Sequence, residues 1–205
     1  MKEFWDERYA AKEYVYGTEP SVFLKNVLAE FQLKGKILLP GEGEGRNAVY
    51  AAKMGLKVMA FDQSIEGQKK AFKLAKSNNV TITYLLGGME EVKFTENSFD
   101  AIALSFVHFP SQLRSSYHLQ LARLLKKGGL MILEGFSKKQ FEFFQLNPKA
   151  GGPKNIDLLY SQEEIKNDFP QFTILKIKDR VLELEEGTYH QGASAVIRFI
   201  GRKNS

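Results

Sequence analysis

Residues 36–39 form a short apolar run that breaks into Pro40-Gly41-Glu42-Gly43-Glu44-Gly45, and a second short run, 58–61, ends in Asp62. Between them residues 46–54 have an alanine-rich helical composition that Gly55 ends. Three glycines spaced by one residue allow a tight turn and remove the side chains that would keep other groups away from the main chain. Strand, turn, helix and strand in this order predict a parallel pair joined by a right-handed crossover, with functional loops at the carboxyl ends of the strands.

The rest of the chain continues the alternation. Residues 20–31 read as an amphipathic helix with Val22, Phe23, Val27, Leu28 and Phe31 on one side, stopped by Gly35. Ser64 is placed to cap a helix through Lys76 whose Lys69, Lys70, Lys73 and Lys76 form a wet face. Residues 81–86 and 99–106 read as strands. Residues 111–125 read as a helix with Leu113, Tyr117, Leu121 and Leu124 inward, closed by Gly128-Gly129. A strand at 130–136, a helical turn or two at 138–144, a loop at 147–155 and a helix at 161–169 follow. Residues 172–184 and 194–201 are extended and joined by 185–192, an antiparallel hairpin. The expected fold is α/β: a doubly wound, mostly parallel seven-stranded sheet with a C-terminal antiparallel hairpin. The 205 residues fit one domain, 1–205, with an N-terminal cap at 1–31, a ligand-binding core at 36–136 and substrate-side loops within 137–192.

Composition narrows the chemistry. There is no cysteine, which removes disulfides, thiolate metal sites and cysteine nucleophiles. Three scattered histidines without a spaced carboxylate pair give no metal site. A net charge of +5 without an arginine-rich tract is a solvated surface, and no nucleic-acid partner is expected. The N-terminal MKEFWDERYAAKEY is unlike a secretion signal and no apolar run reaches membrane-spanning length, so a cytoplasmic monomer or homodimer is expected.

A dinucleotide fingerprint would have its third glycine where Arg46 stands, and Glu42 and Glu44 would repel a pyrophosphate. Carboxylates beside the turn suit a ligand with a cationic end. Asp62, at the tip of the second strand, suits the two hydroxyls of a ribose.

The segment PGEGEGRNAVYAAKMGLKVMAFDQS resembles the cofactor motif of class I S-adenosylmethionine-dependent methyltransferases. SFDAIALSFVHFP and LLKKGGLMILEGF resemble that family's fourth and fifth strands, and FWDERYAAKEYVYGTEPSVFL resembles the opening of its tellurite-resistance and thiopurine methyltransferase-like branch. The resemblance implies a Rossmann-like fold, S-adenosylmethionine as cofactor and a small-molecule methyl acceptor. It places Gly41, Glu42 and Gly43 at the methionine portion, Asp62 on the ribose, and Gln63 with Met89 and Glu90 around the adenine. Ser105 and Phe106 border the cofactor, Tyr16 and Gly17 close over it, and Arg46 and Asn47 start the helix below. Two positions depart from the pattern: Leu39 replaces an acid before the first glycine and Gly88 an acid after the third strand. His108, after the fourth strand, and Tyr189 and His190, in the hairpin connection, are the candidate catalytic or acceptor-side residues. Tyr160 and Gly151-Gly152-Pro153 are candidate lining. His118 is assigned no role. Two rival functions remain: a non-catalytic protein that binds S-adenosylmethionine or S-adenosylhomocysteine, and a nicotinamide-dependent oxidoreductase.

Overall fold

The computed structural model describes residues 2–147 and 150–204, so the Pro148-Lys149 part of the expected 147–155 loop lies outside the described residues. In chain order the elements are α1 (Lys2–Tyr9), α2 (Val22–Glu30), β1 (Lys36–Pro40), α3 (Arg46–Lys53), β2 (Lys57–Asp62), α4 (Ile65–Ser77), β3 (Thr83–Leu86), β4 (Phe99–Ser105) and α5 (Ser111–Leu124). Then come β5 (Leu125–Phe136), α6 (Gln140–Leu146), a 3-10 turn (Ile156–Leu158), α7 (Gln162–Asp168), β6 (Phe172–Glu186) and β7 (His190–Lys203). The strands form one sheet in the order β3-β2-β1-β4-β5-β7-β6. Neighbours are parallel except β5 with β7 and β7 with β6, which gives the expected mixed sheet.

Caps set several helix starts. Ser64 accepts from the Gly67 N–H, and Ser161 with Glu164 closes a full capping box on α7. Ser21, not Pro20, caps α2. Alternate residues of the central strands enter opposite faces: Ile37, Leu39, Ala101, Ala103 and Ile132 pack under α2, α3 and α4, while Leu38, Ile102, Leu104, Met131 and Leu133 pack under α5 and α7.

Three expectations are corrected. On α5 the buried residues are Arg114, His118, Leu121 and Ala122, while Leu113 is exposed. The polar pair is buried because α7 and the segment before it answer it: His118 Nδ1 lies 2.7 Å from Asp168 Oδ2 on α7, and Arg114 sits over the Tyr160 ring and hydrogen-bonds the Asp157 carbonyl of the 3-10 turn. Lys70 leaves the wet face of α4 to bridge Glu44 at 2.7 Å. The hairpin connection is far shorter than 185–192, since β6 runs to Glu186 and β7 begins at His190, its cross-strand partner.

The longer hairpin positions the site. Phe136, the last residue of β5, pairs with Val196, so residues 190–195 overhang the carboxyl edge of the sheet by about 20 Å at a strand's rise per residue.

Gly45, the N-cap of α3, has φ +89°, and a Cβ there would stand 2.5 Å from Ala71 Cβ and 2.7 Å from Ala71 Cα. Gly55 has φ +86° with open space around it. Gly55→Ala should cost about 1 kcal/mol from backbone strain, and Gly45→Ala about 2–5 kcal/mol because overpacking against α4 is added. Denaturant melts measure both, and equal costs would show that α3 and α4 separate freely.

Candidate active site

The turn after β1 takes left-handed φ at Gly41 (+61°), Gly43 (+61°) and Gly45 (+89°). It does not hold its N–H groups out for a ligand, as the sequence led us to expect. Gly41 and Glu42 donate to the Phe61 carbonyl, Gly43 donates to Asp62 Oδ2 at 3.1 Å, and Gly45 donates to the Glu42 carbonyl. Glu42 also turns inward: its Oε1 accepts from the Ala48 N–H at 2.6 Å, which puts a carboxylate of the chain itself on the N-terminus of α3. Burial pushes the Glu42 carboxyl up to about 7 despite these donors and the nearby Arg46.

Asp62 ends β2 beside the turn, one oxygen on the Gly43 N–H and the other on the Ser64 N–H at 2.9 Å. Burial raises its pKa against those hydrogen bonds. Tyr84 donates to the Gly43 carbonyl at 2.6 Å, and the Tyr9 hydroxyl fills the space a Gly43 Cβ would need. Gln63 faces Gly88, where an added Cβ would meet its Nε2 at 3.5 Å. Met89 packs on the core face under α5, and Glu90 accepts from the Tyr117 hydroxyl at 3.0 Å.

The segment between α1 and α2 is tied down over this edge. Glu44 accepts from the N–H groups of Val15 and Tyr16, so its carboxylate faces the segment rather than a ligand. Arg46 is likewise committed, to the carbonyls of Tyr16 and Glu19 and to Glu186 Oε2 at 2.7 Å. Asn47 accepts from the Ser21 N–H, and Ser21 donates to Glu134 Oε2 at 2.5 Å. Glu134, 2% exposed on β5, is met by Arg198 Nε at 2.7 Å. The hairpin turn closes the circuit, with the Thr188 N–H on the Val15 carbonyl and Gly187 against Tyr16 Cα. Gly17 has φ +73° and open space around it.

Beneath the hairpin lies a packed aromatic cluster. Phe106, just past Ser105 at the end of β4, has φ +57°, a costly conformation for a non-glycine residue. Its ring lies 4.9 Å from Phe136 and 4.4 Å from His190. Tyr16 is 4.6 Å from His190, and Gly151 abuts His190 and Phe136. Tyr189 is partly exposed and stacks on Arg8 at 4.1 Å, whose guanidinium also donates to the Tyr16 hydroxyl. Sequence reasoning missed Arg8, Tyr9, Ser21, Tyr84, Glu134 and Glu186. Of these, Glu186 in EEGTYHQG had a readable signal: an acid four residues before a histidine across a turn.

Tyr160 is fully buried, its ring 5.0 Å from His108 and its hydroxyl on the Val107 carbonyl. His108 itself is spoken for: Nδ1 lies 2.8 Å from the Leu158 carbonyl and Nε2 accepts from the Phe136 N–H at 3.2 Å. That pattern needs the neutral ring with its proton on Nδ1 and leaves no lone pair for a substrate. Burial, helped by Arg114 and His190, pushes its pKa down to about 4. A histidine whose folded pKa lies below its unfolded value stabilises the protein fully above about pH 6.5 and loses that contribution as pH falls toward 4. Wild type should therefore lose about 3 kcal/mol over this interval relative to His108→Gln. Chemical melts at a series of pH values measure this, and parallel curves would show that His108 is not held neutral. Among the described residues no group of three or more His, Asp or Glu is disposed to hold a metal.

Residues 37–129 match the methyltransferase domain family. A demethylmenaquinone methyltransferase from Renibacterium salmoninarum is 28% identical over 114 residues, 54% of this chain and 45% of its own, so the chain spans less than half the length of that curated relative. A structure from work on conversion of a disulfide bond into a thioacetal group during echinomycin biosynthesis superposes with TM-score 0.82 at 18% identity, covering 100% of this chain and 92% of that one. TehB from Haemophilus influenzae superposes at 0.72 with 15% identity, covering 99% and 67%. A SAM-dependent methyltransferase from Aquifex aeolicus gives 0.63 at 19% identity, covering 88% and 89%. The glycine turn and the acid at the tip of β2 thus lie in the segment, residues 37–129, that matches the methyltransferase domain, and the whole chain, with its reversed final hairpin at 172–203, has the fold of S-adenosylmethionine-dependent methyltransferases.

Proposed function

We propose that the chain transfers a methyl group from S-adenosylmethionine to a small-molecule acceptor. The observation that carries this is the state of the glycine turn. The N–H donors of Gly41, Glu42, Gly43 and Gly45 are spent internally and a carboxylate of the chain occupies the N-terminus of α3, where a pyrophosphate would otherwise be received. Three buried acids, Glu42, Asp62 and Glu134, have their pKa values raised by burial, so the charge around this edge is incompletely compensated. Such a place rejects a dinucleotide and favours a ligand with ammonium and sulfonium charges.

The residues fit the cofactor. Each Asp62 oxygen holds one main-chain N–H and keeps a further lone pair for a ribose hydroxyl. Gln63, Gly88 and Met89 would flank the adenine, with Glu90 at its outer side; Gly41 and Gly43 would lie under the methionine end above Glu42. Ser105 and Phe106 would border the reacting centre, with Tyr16 and Gly17 over it. Arg46 and Asn47 act from below by fixing the overlying segment. When bound, S-adenosylmethionine supplies a methyl carbon activated by a sulfonium leaving group. The chain's task is to align the acceptor in line with that carbon and to exclude water, which can contribute about 7–11 kcal/mol. The likeness of the N-terminal opening to the tellurite-resistance and thiopurine methyltransferase-like branch supports placing the chain there, since that segment is the one Glu44 holds over the edge.

Calorimetric titration tests the reading. S-adenosylmethionine should bind and NAD should not, and Asp62→Asn should weaken the cofactor by about 1–3 kcal/mol. A cation above Glu42 favours its ionised form, so binding releases a proton. Affinity should fall up to about tenfold from pH 7.5 to 6, a dependence that Glu42→Gln removes. Comparable binding of NAD, or no binding of S-adenosylmethionine, would overturn the proposal.

A further inference from the structure

Glu186 and His190 face each other across the hairpin turn. His190 Nδ1 lies 3.2 Å from Glu186 Oε2, and the same oxygen takes Arg46 Nη2 at 2.7 Å. Arg46 opens α3, directly after the glycine turn, and its other nitrogen is pinned on the Tyr16 and Glu19 carbonyls. A carboxylate on Nδ1 fixes the tautomer with the proton on that nitrogen and turns the Nε2 lone pair away from it. No hydrogen bond within the described residues reaches His190 Nε2. Among the described residues the sealed, unpartnered side-chain atoms are Arg114 Nε, His118 Nε2 and Ser137 Oγ, and His190 Nε2 is not one of them although the residue is buried. Walls of Tyr16, Phe106 and Phe136 surround the ring.

We propose that His190 Nε2 is the general base of the methyl transfer, with Glu186 and Arg46 as its positioning residues, and that the acceptor is a neutral, apolar molecule bearing a proton on the atom to be methylated. This rests on the methyl-transfer reading above. The acceptor's lone pair forms the new bond to the methyl carbon, the electrons of the broken carbon–sulfur bond stay on the cofactor sulfur, and the acceptor's proton passes to Nε2 and then to water. An oxyanion acceptor does not suit these surroundings. The rings about His190 are aromatic, Arg46 is already paired, and Glu186 and Glu134 lie close by.

The titratable and charged groups acting on His190 are Glu186 on β6, Arg46 on α3, Arg8 on α1, Tyr16 and His108. Burial lowers its pKa against the pull of Glu186, which keeps the ring neutral and basic at pH 7. For Glu186, burial acts upward, but the hydrogen bond from His190 and the Arg46 guanidinium outweigh it and bring the carboxyl to about 2. The orienting group therefore stays ionised throughout the range where the base works.

The test has two arms. Long-range 1H–15N spectra of the ligand-free protein should show His190 protonated on Nδ1 and bare on Nε2 at pH 7, titrating below 6.5. Glu186→Ala should lose the tautomer preference, and Glu186→Gln, which keeps an acceptor on Nδ1, should retain it. In the second arm benzyl mercaptan, a neutral thiol, and tellurite are offered as acceptors, with methylated products read by mass spectrometry. His190→Ala should lower kcat on benzyl mercaptan at least about 100-fold, the scale of a general base, while cofactor affinity stays within about threefold. Glu186→Gln should lower kcat about tenfold and leave KM unchanged, consistent with an orienting role. The wild-type rate should rise with pH through the NMR-measured pKa and then level off. An Nε2–H tautomer, a charged His190 at pH 7, an unimpaired His190→Ala or a preference for tellurite would overturn the inference. Should S-adenosylmethionine fail to bind, the methyl-transfer reading falls while the tautomer still decides the relay.

Discussion

A carboxylate taken out of water must be met by donors, and at the carboxyl edge of this sheet four are taken out together: Glu42, Glu44, Asp62 and Glu134 are all buried. Each is met differently. Glu42 takes the start of α3, Asp62 takes the N–H groups of Gly43 and Ser64, Glu44 takes the N-terminal segment with Lys70, and Glu134 takes Ser21 and Arg198. The donors come from four separate stretches of chain, at 15–21, 43–48, 64–70 and 198. Satisfying these acids therefore assembles the edge: the turn, the overlying segment, β5 and β7 cannot part without leaving a buried charge unpaired.

The same constraint explains how the two ends of the chain meet over the middle. Residues 190–195 overhang β5, and an unsupported hairpin tip would wander. Here Thr188 bonds Val15, Glu186 takes Arg46, and Arg8 from α1 stacks on Tyr189 while holding the Tyr16 hydroxyl. Arg46 is the shared hinge of this arrangement, because its two terminal nitrogens hold the N-terminal segment and the hairpin at once. A rigid sheet thus fixes the position of groups carried on otherwise mobile loops.

The fold was readable because its signals are local. The glycine turn, the cap at Ser64 and the apolar strands each announce themselves within a few residues. The polar network was not readable, because its partners lie far apart in sequence. Ser21 meets Glu134 and Arg46 meets Glu186 only once the sheet has closed, and the spacing of Glu186 to His190 is the one local signal for either glutamate. The inward face of α5 misled for a related reason: periodicity favours Leu113, but Asp168 on another helix makes burial of His118 tolerable, and that compensation leaves no trace in α5 itself. His108 lay where a base was expected, yet its role depends on Leu158 and Phe136, which only the tertiary structure brings to it.

The two departures from the family pattern have a physical account in the same terms. Leu39 is fully buried in the cluster under α2 and α3, among Phe23, Leu24 and Ala48, where a carboxylate would find neither water nor donor. Glu42 puts the negative charge a few residues later, where α3 supplies N–H groups. At Gly88 an added Cβ would make ordinary contact with Gln63, 3.5 Å from its Nε2, and the Gly88 N–H donates to Glu91 Oε2, so the polar groups at this corner are the Gln63 amide and the Glu91 carboxylate. An amide carries no charge and loses less on burial than a carboxylate. The chain has thus kept negative charge beneath the turn, where the cationic end of the proposed ligand would lie.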